Sequence, residues 1–210
     1  MKILIINGSP HVNGNTATCA LKFKEWFAEA NIDCEIYNLG DKTIKHCLGC
    51  KTCFQTKNDR CIQDDDLNAL VQKVKTADGY ILGSPIHYAD ISGLMKNCLD
   101  RLFYVSGANG NYFRHKVGAG YVCVRRGGGI HGFHTLNNYL TYGEMFVATG
   151  SYWNIVYGTE PQEALKDSEG INTLHVVAEN MTYLLRVLKE TKVPQPEPIK
   201  KVTMNFIRED

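Results

Sequence analysis

The chain opens on an unbroken apolar run, Ile3-Leu4-Ile5-Ile6, which ends in Asn7-Gly8-Ser9-Pro10. A β-branched and leucine run without polar alternation reads as a strand buried on both faces, as in a parallel sheet. From about Thr16 to Ala30 the spacing turns helical, with Ala20, Phe23, Phe27 and Ala30 on one face. Cys34 to Leu39 returns to strand character, and Gly40 to Gln63 carries little periodicity. Asp64-Asp65-Asp66 then puts negative charge where a helix N-terminus favours it, ahead of a buried face on Leu67, Leu70, Val71 and Val74.

The alternation continues. Ala77 to Gly83 reads as a third strand running into Ser84-Pro85-Ile86-His87-Tyr88, and Ser92 as the N-cap of a helix with Leu94, Met95, Cys98, Leu99 and Leu102 inward. Residues 104–116 mix glycine and asparagine with Tyr104, Tyr112 and Phe113, which predicts an aromatic loop and a candidate lid. Val117 to Val124 is a fourth strand, followed by Arg125-Arg126-Gly127-Gly128-Gly129 and a helix on Phe133, Leu136 and Leu140. A short fifth strand is expected around Met145 to Tyr152, and a last helix over about Ser168 to Lys189.

Five strands alternating with helices predict an α/β fold, a doubly wound five-stranded parallel sheet. Ligands in that architecture sit off the carboxyl ends of the strands, where segments 9–16, 84–88 and 125–129 would meet. One domain is expected over residues 1–190. Residues 191–210 form a tail, stiffened by Pro194, Pro196 and Pro198, that is expected to pack across a partner subunit.

A net charge of +1 with 21% charged residues argues against a bulk electrostatic grip on nucleic acid or an anionic membrane. The chain has no apolar run near the roughly 20 residues of a membrane span, and its first residues carry no leader pattern. Eight cysteines in such a chain point to a reducing compartment. The expected location is the cytoplasm.

The first turn carries the leading chemical signal. A strand, a small-residue loop and a helix aim backbone N–H groups and a helix N-terminus at one spot, which favours a phosphate. Ser9, Asn13, Asn15 and Thr16 add short polar side chains, while the lysine of a triphosphate loop and the G-x-G-x-x-G of a dinucleotide fold are both missing. A cation-free loop of this kind suits a terminal monophosphate such as that of FMN. The alternative is an ordinary turn whose helix is capped by Asn13 or Asn15.

Cys47, Cys50, Cys53 and Cys61 have the spacing C-x2-C-x2-C-x7-C, compact enough for one loop to wrap a cubane cluster. Zinc and empty thiols are the competing readings. Cys19, Cys34, Cys98 and Cys123 read as small core residues. His131 and His134 lack the spacing of a zinc helix and read as surface or capping groups.

Several of these segments together resemble a known family. Asn7-Gly8-Ser9-Pro10 with Gly14-Asn15-Thr16, the four-cysteine loop with Asp65-Asp66, Gly83 to Tyr88, Lys96-x-x-Leu99-Asp100-Arg101, Arg125 to Gly128, Ser151 to Asn154 and Glu169-Gly170 are similar to the NAD(P)H-dependent FMN reductases of the flavodoxin-like group. The iron–sulfur flavoproteins are the branch nearest in motif. The resemblance implies that Ser9, Asn13, Asn15 and Thr16 hold the FMN phosphate, with His11 where relatives carry arginine. It implies that Ser84, Pro85, Ile86, His87 and Tyr88 line the isoalloxazine edge, although relatives place a tyrosine where His87 stands. Arg125, Gly127 and Gly128 would close the far side, near the ring atoms that gain negative charge on reduction.

The implied activity is hydride uptake from NAD(P)H and electron delivery to a second acceptor, a flavin, a quinone or similar. Two other readings are an electron carrier with a [4Fe–4S] cluster on Cys47, Cys50, Cys53 and Cys61, and a flavin-binding sensor without turnover. A homodimer or homotetramer is expected.

Overall fold

In the first strand, β1 (Lys2–Asn7), Leu4 and Ile6 point to one face of the sheet and Ile3 and Ile5 to the other, all four fully buried. The period of two therefore feeds two cores at once. The computed structural model describes residues 1–204 and 206. After β1 come α1 (Asn15–Glu29), β2 (Asp33–Asn38), a 3₁₀ turn at Leu39–Asp41, α2 (Thr52–Thr56), α3 (Leu67–Thr76), β3 (Gly79–His87) and β4 (Asp90–Ile91). The chain continues through α4 (Gly93–Ala108), β5 (Val117–Val124), α5 (Gly129–Tyr142), β6 (Phe146–Val147), β7 (Ile155–Tyr157), a 3₁₀ turn at Glu163–Lys166 and α6 (Ser168–Glu190).

The sheet order is β2-β1-β3-β5, with β6 and β7 both on the outer edge of β5 and every one of these pairings parallel. β4 adds a two-residue antiparallel pairing at the end of β3. Helices α3, α4 and α5 cover one face, around Leu70, Leu99 and Leu136, and α1 and α6 cover the other, around Phe23, Phe27 and Met181. With β6 and β7 counted as one interrupted position, this is the doubly wound order 2-1-3-4-5. Cys19, Cys34, Cys98 and Cys123 are buried in these cores.

Two expectations about the elements need correction. The fifth strand does not span Met145 to Tyr152: β6 holds two residues, and the outer position resumes at Ile155. Between them Asn154 serves the exposed edge of β5, its side chain donating to Gly120 O at 2.9 Å and its carbonyl accepting from Val122 N at 3.0 Å. A side-chain amide replaces part of a strand there, which periodicity does not register.

The second correction concerns residues 104–116. α4 continues through Tyr104 to Ala108, and the turn beyond its end is no lid. Phe113 is 1% exposed and stacks on Phe103 at 4.3 Å, while Tyr112 N and Asn111 Nδ2 are bonded to Ser106 Oγ and Gly143 O. Glycine and asparagine supply the turn, and Phe113 belongs to the core, while Tyr112 is half-buried and Tyr104 exposed on α4.

Candidate active site

The strand ends beside the switch between β1 and β3 are stitched together before any side chain enters the cleft. Gly8 N donates to Gly83 O at 2.8 Å, linking the two strands just past their pairing. Ser92 caps α4 by accepting from Met95 N, and its own hydroxyl donates to Gly8 O at 2.6 Å. Ser84 is fully buried, with its hydroxyl accepting from Ser92 N at 3.0 Å and donating to Pro85 O at 2.8 Å. The Ser84 hydroxyl is thereby engaged within the protein, holding the two turns in register.

Helix α1 begins without a side-chain cap, Gly14 occupying the N-cap position, so neither Asn13 nor Asn15 caps it. Asn15 instead accepts from Ala164 N at 2.9 Å, tying α1 to the turn after β7. Gly158 lies at this junction, where a Cβ would come within 2.9 Å of Asn15 Nδ2 and 2.8 Å of Ala164 N. Thr16 is buried, and its carbonyl accepts from the Tyr121 hydroxyl of β5 at 2.6 Å. Ser9 Oγ accepts from His11 N at 3.1 Å, which folds the turn back on itself. The first-turn N–H groups of an uncapped helix point outward along its axis, toward the turn that precedes it.

These segments surround a cleft of about 670 Å³. Residues 9–16 form one wall, Pro85, Ile86 and His87 another, and Cys123 and Arg125 lie at the end of β5. Residues 158, 159 and 161 complete it, a fourth segment that follows β7 and so lies beyond the fifth strand expected from the sequence. Among the described residues the lining carries His11, His87 and Arg125 and no carboxylate, a composition that suits an anion.

Not every expected residue reaches the lining. Tyr88 projects fully into solvent from a left-handed backbone, φ 58°. Gly127 and Gly128 are off the lining as well; Gly128 caps α5 with φ 85°, against the Ile86 side chain and the Tyr88 carbonyl. His131 is a surface group 3.5 Å from Asp90. Below the cleft, Cys123 Sγ is 3.7 Å from Cys19 Sγ, and that contact together with burial pushes the Cys19 thiol well up. It is inert at neutral pH.

The four loop cysteines line one small hollow of about 20 Å³, with Arg101 also in its wall. Among the described residues no three metal-ligating side chains are grouped closely enough to hold a single ion as they stand. All four thiols are free, Cys50 exposed and the others half-buried. Thr52 Oγ1 donates to Cys50 Sγ at 3.4 Å and draws its thiol down, whereas burial pushes Cys53 up.

Arg101 anchors this loop. It is 1% exposed and bonds to both oxygens of Asp65, at 2.5 and 2.9 Å, and to the carbonyls of Lys45 and Gln63. Burial works to lower its pKa, but the bonds to Asp65 and the neighbouring Cys61 raise it on balance. Asp65 thus serves two ends: it pairs with Arg101, and it sits at the start of α3 as expected, accepting from Leu67 N at 3.2 Å.

The strand order and a cleft at the β1/β3 switch define a flavodoxin-like protein. The profile of the NADPH-dependent FMN reductase family matches residues 1–160, and the chain belongs to that family. It is an FMN-dependent oxidoreductase. An iron–sulfur flavoprotein of Methanocaldococcus jannaschii is 29% identical over 198 residues, 90% of this chain and 100% of that one. An FMN-dependent NADPH-azoreductase of Staphylococcus aureus is 33% identical over 116 residues, 55% of this chain and 56% of the other. Among solved structures, RosB with a bound formylriboflavin phosphate intermediate superposes with a TM-score of 0.75 at 19% identity, covering 98% of this chain and 92% of that one. No helix among the described residues is long and apolar enough to cross a membrane.

Proposed function

We propose that FMN sits in the cleft with its phosphate at the start of α1, and that the chain uses it to move electrons from a reduced nicotinamide to a small organic acceptor or a flavin. The supporting observation is the pairing of an uncapped helix N-terminus with a lining that, among the described residues, holds two histidines and an arginine and no carboxylate. When bound, FMN supplies hydride acceptance and onward electron transfer. The chain supplies position and charge. The N–H groups of Asn15, Thr16 and Ala17, with the Ser9 hydroxyl and the Asn13 amide, hold the phosphate. Pro85, Ile86 and His87 present backbone and ring edge to the other end of the cofactor. Arg125 places a cation where charge builds up on reduction. Tyr88, Gly127 and Gly128 stand beside the mouth and would act on the incoming substrate rather than on the buried cofactor.

The test is direct. Protein loaded with one equivalent of FMN and mixed anaerobically with NADH or NADPH should lose its flavin absorbance within seconds. Bound flavin that neither nicotinamide bleaches would end this reading.

A second reading concerns the loop of Cys47, Cys50, Cys53 and Cys61, and it is favoured by the convergence of all four thiols on one hollow. The thiolate donor set suits an iron–sulfur cluster, and the loop must open to admit one, since the hollow of about 20 Å³ has room for little more than a water. These four residues would hold the cluster, and the chain would then serve as an electron carrier. Anaerobically purified protein with about four irons and four sulfides per chain would support it; iron-free protein that resists reconstitution would remove it. Eight free thiols fit a reducing compartment such as the cytoplasm.

A further inference from the structure

Arg101 reaches the four-cysteine loop from α4, and its N–H donors are unequally used. Nη1 donates to Asp65 Oδ2 at 2.5 Å and to Lys45 O at 3.1 Å, and Nη2 to Asp65 Oδ1 at 2.9 Å and to Gln63 O at 3.4 Å. Nε is buried and has no partner. Among the described residues it is the one buried side-chain donor left so, the other unpaired atom being Asn154 Oδ1, an acceptor. A charged donor shut away from water is costly unless something accepts from it. Arg101 also forms part of the wall of the hollow that Cys47, Cys50, Cys53 and Cys61 share.

The four thiols do not stand on an equal footing. Cys61 is clamped by Asn68 of α3, which accepts from Cys61 N at 2.8 Å and donates to Cys61 O at 3.2 Å. Asn68 is buried, and the same amide donates to Gln63 O at 3.1 Å. Cys61 is therefore fixed beside Arg101, close enough to help hold the guanidinium charged. The other three thiols sit on residues 47–53, where Gly49 and Lys51 have left-handed backbones and α2 is five residues long. When the loop opens, Cys61 and Arg101 form its fixed side. The opposite side brings its own donors: Gly49 N donates to Cys47 Sγ at 3.5 Å and Thr52 Oγ1 to Cys50 Sγ at 3.4 Å. Lys51, the other cation of the wall among the described residues, is exposed and screened by solvent. The donor on the buried side is Arg101.

We propose that Arg101 Nε is the buried hydrogen-bond donor to a sulfur of the iron–sulfur cluster held by Cys47, Cys50, Cys53 and Cys61, and that this bond makes the cluster easier to reduce. The inference rests on the iron–sulfur reading of the loop. Four thiolates around an iron–sulfur core carry net negative charge, and one added electron deepens it. Sulfur accepts more strongly as that charge grows, so a fixed donor favours the reduced form over the oxidised one. Asp65 and the two carbonyls sharpen the aim. They occupy Nη1 and Nη2 and leave Nε, so Arg101 acts as an oriented N–H dipole more than as a full charge. The guanidinium stays protonated throughout. One electron is taken up, no bond breaks and no proton moves.

The test uses the full chain reconstituted anaerobically with iron and sulfide. Protein carrying arginine labelled with ¹⁵N at Nε, reduced with dithionite, should show a ¹⁵N hyperfine coupling to the unpaired electron of the cluster. Arg101→Lys keeps a cation against Asp65 but puts a methylene where Nε stood. It should abolish the coupling and make reduction about tenfold less favourable, about 59 mV for a one-electron couple. Arg60→Lys, at the exposed arginine beside Cys61, should leave both unchanged. A wild-type cluster without the coupling, or an Arg101→Lys cluster whose potential matches the wild type, would overturn the inference and leave the cluster reading standing. A chain that takes up no iron would end both. Where Arg101→Lys assembles no cluster, the coupling in the Arg60→Lys protein decides alone.

Discussion

Arg101 and Asp65 form a two-pronged ion pair whose side chains are 1% and 2% exposed. Its two further bonds, to Lys45 and Gln63, fasten both ends of the four-cysteine loop to α4. Removing one partner of such a pair strands a charge in the interior, at a typical cost of about 3–5 kcal/mol. Asp65→Asn and Arg101→Met should each lower stability on that scale in urea unfolding, and limited proteolysis should cut first between residues 45 and 63. The pair carries a pH signature too. Burial pushes the Asp65 carboxyl up, but the Arg101 bonds prevail and hold it below its ordinary value of 3.8. A carboxylate depressed in the folded state adds stability that is complete above that value and is lost as pH falls through the lower, folded one. The gap between wild type and Asp65→Asn should therefore be constant near pH 6 and shrink below about pH 4.

Asn13 is exposed in the turn before α1. A carboxylate there would compete with a phosphate for the helix N-terminus while leaving the fold intact. Asn13→Asp should weaken FMN binding about two- to fivefold and leave riboflavin, which has no phosphate, unaffected. Fluorescence titration with both ligands checks the difference, and equal losses would place the phosphate elsewhere.

Tyr88 has a left-handed backbone and no buried side-chain surface. Tyr88→Gly should leave stability unchanged or raise it by up to about 1 kcal/mol. Tyr88→Val should lower it by more than about 1 kcal/mol, because β-branched residues tolerate that conformation worst. Thermal unfolding of the two variants should bracket the wild type or match it on the glycine side.

Gly83 joins the interior of the sheet to α1. A Cβ at this position would stand 2.4 Å from the Tyr121 ring and hydroxyl, and that hydroxyl holds Thr16 O. Gly83→Ala should cost about 1–3 kcal/mol from overpacking. It should also loosen FMN through the displaced first turn of α1, so stability and affinity fall together.

The βα unit that opens the chain was legible because buried strand and amphipathic helix have different periods, and Ile3 to Ile6 and Phe23 to Phe27 show each cleanly. The convergence of residues 9–16, 85–87 and 125 followed from strand order alone. Ser84 was legible as a polar residue at a strand end but not as a buried one, because only the folded position of Ser92 decides where its hydroxyl points. Phe113 was hidden by its glycine and asparagine neighbours, since its burial depends on Phe103, ten residues earlier on α4. Residues 158–161 were missed with the misplaced fifth strand. The Arg101–Asp65 pair spans 36 residues, a separation that local pattern does not reach.

The interrupted position beside β5 has a consequence for solubility. A sheet boundary built from a two-residue strand, a side-chain amide and a three-residue strand offers an incoming chain no long row of open backbone groups to copy. Asn154 thereby acts as a guard against fibre-like growth along that margin, in a protein whose opposite boundary, β2, runs for six residues.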